Sequence, residues 1–127
     1  MPEIAKEKQR LREKIWREME KSRVATFPLP CWGRIPNFEG AEAAADKLRQ
    51  LEEWKKAKAV FVNPDSPQRK VRENALKDGK ILIMASPRLK RGFLLIDPEK
   101  VRGKEHFAST IKGAFQLGVE TQNFPKP

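Results

Sequence analysis

The sequence predicts an α/β protein with a small, partly parallel sheet of about three strands flanked by helices, and three observations carry that expectation. Ala59-Val60-Phe61-Val62 and Lys80-Ile81-Leu82-Ile83-Met84 are short apolar runs, the second apolar at every position after its lysine. Between them lies a segment of helical length, with Asn63-Pro64-Asp65-Ser66-Pro67 ahead of residues 68–77 and Asp78-Gly79 behind. A third apolar run, Phe93-Leu94-Leu95-Ile96, is ended by Asp97-Pro98. Runs without polar alternation read as strands buried on both faces, and a strand, a helix and a parallel strand in succession default to a right-handed βαβ unit.

In chain order, residues 1–24 form a basic amphipathic segment, helical over 3–22. At about 100° per residue, Ile4, Leu11, Ile15 and Met19 fall within an arc of roughly 80°. Lys8 lies inside that arc and Arg12 just beyond its edge. Two cations on a flank expected to be buried are either an anion site or long stems that cover apolar surface while their charges reach water. Residues 25–40 are a proline-rich connector whose large apolar side chains are expected to pack over the sheet instead of leaving it a loose linker. Residues 41–118 then supply a helix, the βαβ core and the third strand. The helix is expected over 41–54, with Ala41, Ala44, Ala45, Leu48 and Leu51 at helical spacing.

Within the βαβ unit, Val71, Ala75 and Leu76 mark the inner face of the 68–77 helix. After Met84, the loop 85–92 carries Arg88, Lys90 and Arg91, either as an anion contact or as a solvated turn. Residues 105–117 place Phe107, Ile111, Ala114 and Phe115 at helical spacing, with Gly118 positioned to cap them. Residues 119–127 give no further strand and are expected to be a tail.

At 127 residues one domain is expected, small for a doubly wound sheet. The 27 basic and 17 acidic side chains leave a net charge of +10, which favours polyanionic partners such as nucleic acid or nucleotide phosphates. The single cysteine, Cys31, excludes an internal disulfide and is expected to be a buried structural thiol. No apolar stretch of membrane-spanning length occurs, so no membrane partner and a cytoplasmic location are expected. Neither G-x-G-x-x-G nor G-x-x-x-x-G-K-[ST] is present, and no nucleophile has a local base. His106, the one histidine, reads as a surface residue, and no metal site is expected. Ligands of open parallel sheets bind beyond the carboxyl ends of strands, which singles out the loop 63–68. Asp65, Ser66 and Gln68 are its candidate ligand contacts. Asp65 or Ser66 could equally cap the following helix, with Pro67 in its first turn.

The order of four segments is similar to one known family. Lys8-Gln9-Arg10-Leu11-Arg12, Gly33-Arg34-Ile35-Pro36-Asn37-Phe38-Glu39-Gly40-Ala41, Val62-Asn63-Pro64-Asp65-Ser66-Pro67-Gln68, and Ser86-Pro87-Arg88-Leu89 before Gly92-Phe93-Leu94-Leu95 resemble the 5-formyltetrahydrofolate cyclo-ligases (methenyltetrahydrofolate synthetases), in particular their archaeal-type branch. The resemblance runs to about Gly118. It implies the first half of a sugar-phosphate isomerase and CoA-transferase type, Rossmann-like fold. It also implies a ligase chemistry: ATP, with Mg2+, phosphorylates the formyl oxygen of 5-formyltetrahydrofolate, the ring closes through the neighbouring nitrogen, and phosphate leaves to give 5,10-methenyltetrahydrofolate.

By motif, Lys8 and Arg12 correspond to the family's helix residues that contact ATP phosphates. Asp65, Ser66, Gln68 and Arg88 fall where folate-type substrate contacts would lie. Two departures bear on activity. The family's carboxy-terminal G-x-G-x-G-x-x-D segment is not found and the chain has no tyrosine, so an amino-terminal half, partial and inactive, that forms a homo-oligomer or takes a partner chain is the expectation. The second is the folate glutamate of better-known members, whose neighbourhood holds Asp65 and Gln68. The alternatives from other classes are a basic RNA-binding module that uses the first helix and the Arg88–Arg91 loop, and a structural half-domain.

Overall fold

The computed structural model describes residues 2–26, 29–86 and 92–121. They fall into two compact units divided between Ala41 and Glu42. The first unit opens with helix α1 (Pro2–Lys21), none of whose residues is buried. The apolar arc read from the sequence is therefore exposed instead of buried: Ile4, Leu11 and Ile15 are 51%, 60% and 46% accessible. With charges on most of its remaining surface, α1 is held through a few specific contacts and not through a packed stripe.

Those contacts come from the proline-rich connector. The Glu20 carboxylate accepts from the Cys31 amide at 3.1 Å and from Trp32 Nε1 at 3.0 Å. One turn earlier, Trp16 Nε1 donates to the Arg34 carbonyl at 3.1 Å, and the Trp16 and Trp32 ring centroids are 5.5 Å apart. The connector is thus stapled to α1 at two successive turns, and Cys31 is fully buried as expected. Two-residue strands β1 (Ala25–Thr26) and β2 (Asn37–Phe38) pair antiparallel at the connector's ends. Helix α1 closes with Val24 N bonded to Met19 O and with Arg23 in the left-handed region, φ +61°, where glycine is usual.

The second unit holds the main sheet, in the order β3 (Ala59–Val62), β4 (Ile81–Ala85), β5 (Phe93–Ile96), β6 (Val119–Thr121). β3 and β4 are parallel, joined by a 3-10 turn (Ser66–Gln68) and helix α4 (Arg69–Lys77), as the apolar runs predict. β5 and β6 are antiparallel to their neighbours. The sheet has four strands, not three. Residues 119–121, read as tail, become a strand because Gly118, extended at φ −91° and ψ 171°, delivers them into register with β5. Three residues are too few for the pattern to show by itself.

Two helices expected to be continuous are broken. Residues 41–54 divide into α2 (Ala41–Leu48) and α3 (Glu52–Lys56) without a glycine or proline. The cause is tertiary: Arg49 Nε and Trp54 Nε1 both donate to Asp78 Oδ2, each at 2.9 Å. An unbroken helix would set residues five apart about 140° around its axis, beyond a shared carboxylate. Residues 105–117 divide into α5 (Glu105–Ala108) and α6 (Ile111–Leu117), where Thr110 Oγ1 caps α6 by accepting from Gly113 N at 3.0 Å.

The core forms on one face of the sheet. Val62, Leu82, Met84, Leu94 and Ile96 pack with Ala75, Leu76, Val101, Ala108 and Ala114. Each fully buried aliphatic side chain contributes about 1.5–3 kcal/mol. β3 alternates, with Val62 buried and Phe61 47% exposed, so it is not buried on both faces; Phe61 meets Phe93 edge-on at 6.0 Å. Among the described residues no helix is long and apolar enough to cross a membrane.

Candidate functional site

In the first unit, Lys8, Arg12 and Trp16 follow one another at four-residue intervals and so form one stripe of α1. The connector lies along it, with Gly33 at φ +76° turning the chain and the Arg34 amide donating to the Cys31 carbonyl at 3.1 Å. Stripe and connector enclose a cleft of about 540 Å³, lined by Lys8, Leu11, Arg12, Ile15, Trp16 and residues 33–36. Its walls are apolar side chains and an indole, and its charges are the three cations Lys8, Arg12 and Arg34. Among the described residues none of the three has a carboxylate partner; Arg12 makes one neutral hydrogen bond, to Gln9 Oε1 at 3.3 Å. Unneutralised cations beside an apolar wall suit an anion with an apolar body.

In the second unit, the loop after β3 carries Asp65, Ser66 and Gln68. Neither Asp65 nor Ser66 caps the helix: no side chain accepts from the first turn of the 3-10 segment or of α4. Instead Gln68 bonds Asp65 twice, amide to carbonyl at 3.1 Å and Nε2 to Oδ2 at 3.4 Å. Ser66 is exposed. The loop is held by Arg72, a residue the sequence reading passed over. Arg72 is 2% exposed and donates to the carbonyls of Asn63 (2.7 Å), Asp65 (2.9 Å) and Ser109 (2.8 Å). Burial, and then the charge of Arg69, lower its pKa to about 10 against the pull of Asp65, which still leaves it charged at neutral pH.

Beside it, the Glu73 side chain is 4% exposed and gathers Arg69 (2.7 Å), Lys77 (2.7 Å) and Lys70 (3.4 Å). Burial alone would raise its carboxyl, but the hydrogen bonds from Arg69 and Lys77 and the charges of Lys70 and Lys77 outweigh that and hold it at about 2. His106 is a surface residue as expected, 74% exposed, yet its Nδ1 lies 3.1 Å from Glu73 Oε1, an acidic neighbour that only the tertiary fold supplies. The signal for Arg72 was present in the sequence: it lies three and four residues before Ala75 and Leu76, on their face of α4.

Lys8 and Arg12 thus share one cleft in the first unit, and Asp65, Ser66 and Gln68 share one loop in the second. Arg88 and the Arg88–Arg91 loop lie outside the described residues. Among the described residues no group of three or more His, Cys, Asp or Glu side chains could hold a metal ion.

Comparison with known proteins gives a consistent result. The model of the 5-formyltetrahydrofolate cyclo-ligase family matches residues 4–125. The methenyltetrahydrofolate synthase domain-containing protein of Bos taurus is 43% identical over 91 residues, 72% of this chain and 24% of that protein. Its Danio rerio counterpart is 41% identical over 112 residues, 86% of this chain and 29% of that protein. The Homo sapiens protein is 40% identical over 85 residues, 67% and 22% of the two chains. The chain spans about a quarter of the length of these curated relatives. No solved structure gives a significant match. A family match over nearly every residue, on a chain whose first helix and following strands keep the motifs in order, means that this protein belongs to the 5-formyltetrahydrofolate cyclo-ligase family.

Proposed function

We propose that the cleft on α1 binds ATP and that the protein acts in the ATP-dependent conversion of 5-formyltetrahydrofolate to 5,10-methenyltetrahydrofolate. The observation that carries this reading is the cleft itself: Lys8 and Arg12, the residues matching the family's phosphate contacts, line one apolar-walled space and neither charge is neutralised by a carboxylate. Phosphoryl transfer asks a protein mainly for positioning and charge stabilisation. Lys8 and Arg12 would supply it by holding the phosphate oxygens while the formyl oxygen attacks the terminal phosphorus and ADP leaves. The neighbouring nitrogen then closes the ring and expels phosphate. Mg2+ would accompany the nucleotide and offset part of its phosphate charge. On the second unit, Asp65, Ser66 and Gln68 are the side chains offered to the folate, on a loop whose backbone Arg72 fixes.

The test is a spectrophotometric assay of the full chain with 5-formyltetrahydrofolate, ATP and Mg2+. The expected result is ATP-dependent appearance of the methenyl chromophore, with Lys8→Ala raising KM for ATP more than KM for the folate. No turnover and no stabilisation by nucleotide, alongside RNA binding that weakens steeply with salt, would replace this reading with the basic RNA-binding module.

A further inference from the structure

The family resemblance gives Lys8 and Arg12 a role and gives Arg34 none. Yet Arg34 lines the same cleft, and its backbone is fixed there by two bonds: its amide to the Cys31 carbonyl and its carbonyl to the Trp16 indole, each 3.1 Å. Trp16 stands one turn beyond Arg12 and two beyond Lys8, a drift of only about 40° per step. The indole bond therefore sets residue 34 beside the stripe that carries the other two cations. Its side chain is exposed and, among the described residues, has no hydrogen bond or ion pair. Three like charges lining one cleft repel each other when it is empty, and the lining holds no carboxylate to relieve them. A ligand with several negative charges relieves that repulsion. A ligand with one phosphate can engage only part of it.

We propose that Arg34 is a third polyphosphate-binding residue and that the cleft is built to select a triphosphate over a monophosphate. This rests on the reading of the cleft as the nucleotide site. Its planar guanidinium offers two parallel donors to adjacent phosphate oxygens, a geometry that an ammonium group does not match. The indole-to-carbonyl bond makes Trp16 a positioning residue, which sets where the Arg34 guanidinium begins.

The experiment is calorimetric titration of the full chain with ATP–Mg2+, AMP and inorganic triphosphate, comparing wild type with Arg34→Gln, Lys8→Ala and Arg12→Ala. Arg34→Gln keeps both backbone bonds and removes an exposed charge, so its melting temperature is expected to stay at the wild-type value. Its Kd for ATP and for triphosphate is expected to rise about tenfold and its Kd for AMP less than about threefold. Unchanged ATP affinity in Arg34→Gln, with affinity lost in Lys8→Ala, would overturn the role of Arg34 and leave the cleft as the nucleotide site. Equal losses for ATP and AMP would overturn the selection of polyphosphate. ATP affinity unchanged in all three variants would remove the nucleotide site itself, and with it the proposal.

Discussion

In the unit that precedes Glu42, Lys8, Arg12 and Arg34 carry exposed charges without a carboxylate partner among the described residues. In the unit that follows, Arg69, Lys70 and Lys77 converge on Glu73, and Arg72 is buried against three carbonyls. The same residue types serve opposite ends. A cation whose donors are spent on the fold contributes stability and is closed to ligands, whereas one left unpaired adds little stability and keeps its donors for an anion. The net charge of +10 does not distinguish the two groups. Only the tertiary partners do.

This contrast can be broken by substitutions in each unit. The largest effect is expected at Arg72. Arg72→Met removes the guanidinium donor from the Asn63, Asp65 and Ser109 carbonyls, leaving Asp65 the Gln68 amide alone, and should cost about 3–5 kcal/mol in a denaturant titration, with the loop 63–65 losing protection from hydrogen exchange. A loss below about 1 kcal/mol would mean that the buried guanidinium does not hold that loop.

Next comes the acid limb. The folded Glu73 carboxyl lies at about 2, below its ordinary 4.5, so its stabilisation is complete above the ordinary value and lost as pH falls toward 2. It should be worth on the order of 2–3 kcal/mol, and melting temperatures should fall between pH 5 and pH 2 by less in Glu73→Gln than in the wild type. Parallel acid limbs in the two proteins would contradict the assignment.

A smaller effect of opposite sign is expected in the first unit. Arg23 occupies the left-handed region at the end of α1, and Arg23→Gly should raise stability by about 0.5–1 kcal/mol, read as a higher denaturation midpoint. The smallest effect on folding is expected for Lys8→Ala with Arg12→Ala, within about 0.5 kcal/mol of wild type, because neither side chain is engaged in an ion pair.

What was legible in the sequence follows the same division. The parallel β3 and β4 with α4 between them were readable because uninterrupted apolar runs are set off by clear breakers, residues 63–67 and Asp78-Gly79. β6 was not, since its three residues gain strand conformation from pairing with β5. The break between α2 and α3 was hidden because its cause, a carboxylate shared by Arg49 and Trp54, lies more than twenty residues downstream at Asp78. The apolar stripe of α1 was legible as a stripe, but its exposure was not. Lys8 and Arg12 were singled out by their place at that stripe and by motif, and the structure puts both on the lining of one cleft. Arg72 was missed because a charge within an apolar arc reads as a solvent-reaching stem until its carbonyl partners are known.

Whether the unpaired cations of the first unit bind nucleotide phosphates is decided by a thermal-shift comparison. Wild type and the Lys8→Ala, Arg12→Ala double variant are melted with and without saturating ATP–Mg2+. Both should melt at the same temperature without nucleotide, wild type should shift upward with it, and the variant should not shift. A variant that keeps the full shift, or a wild type that shows none, would contradict nucleotide binding by these cations.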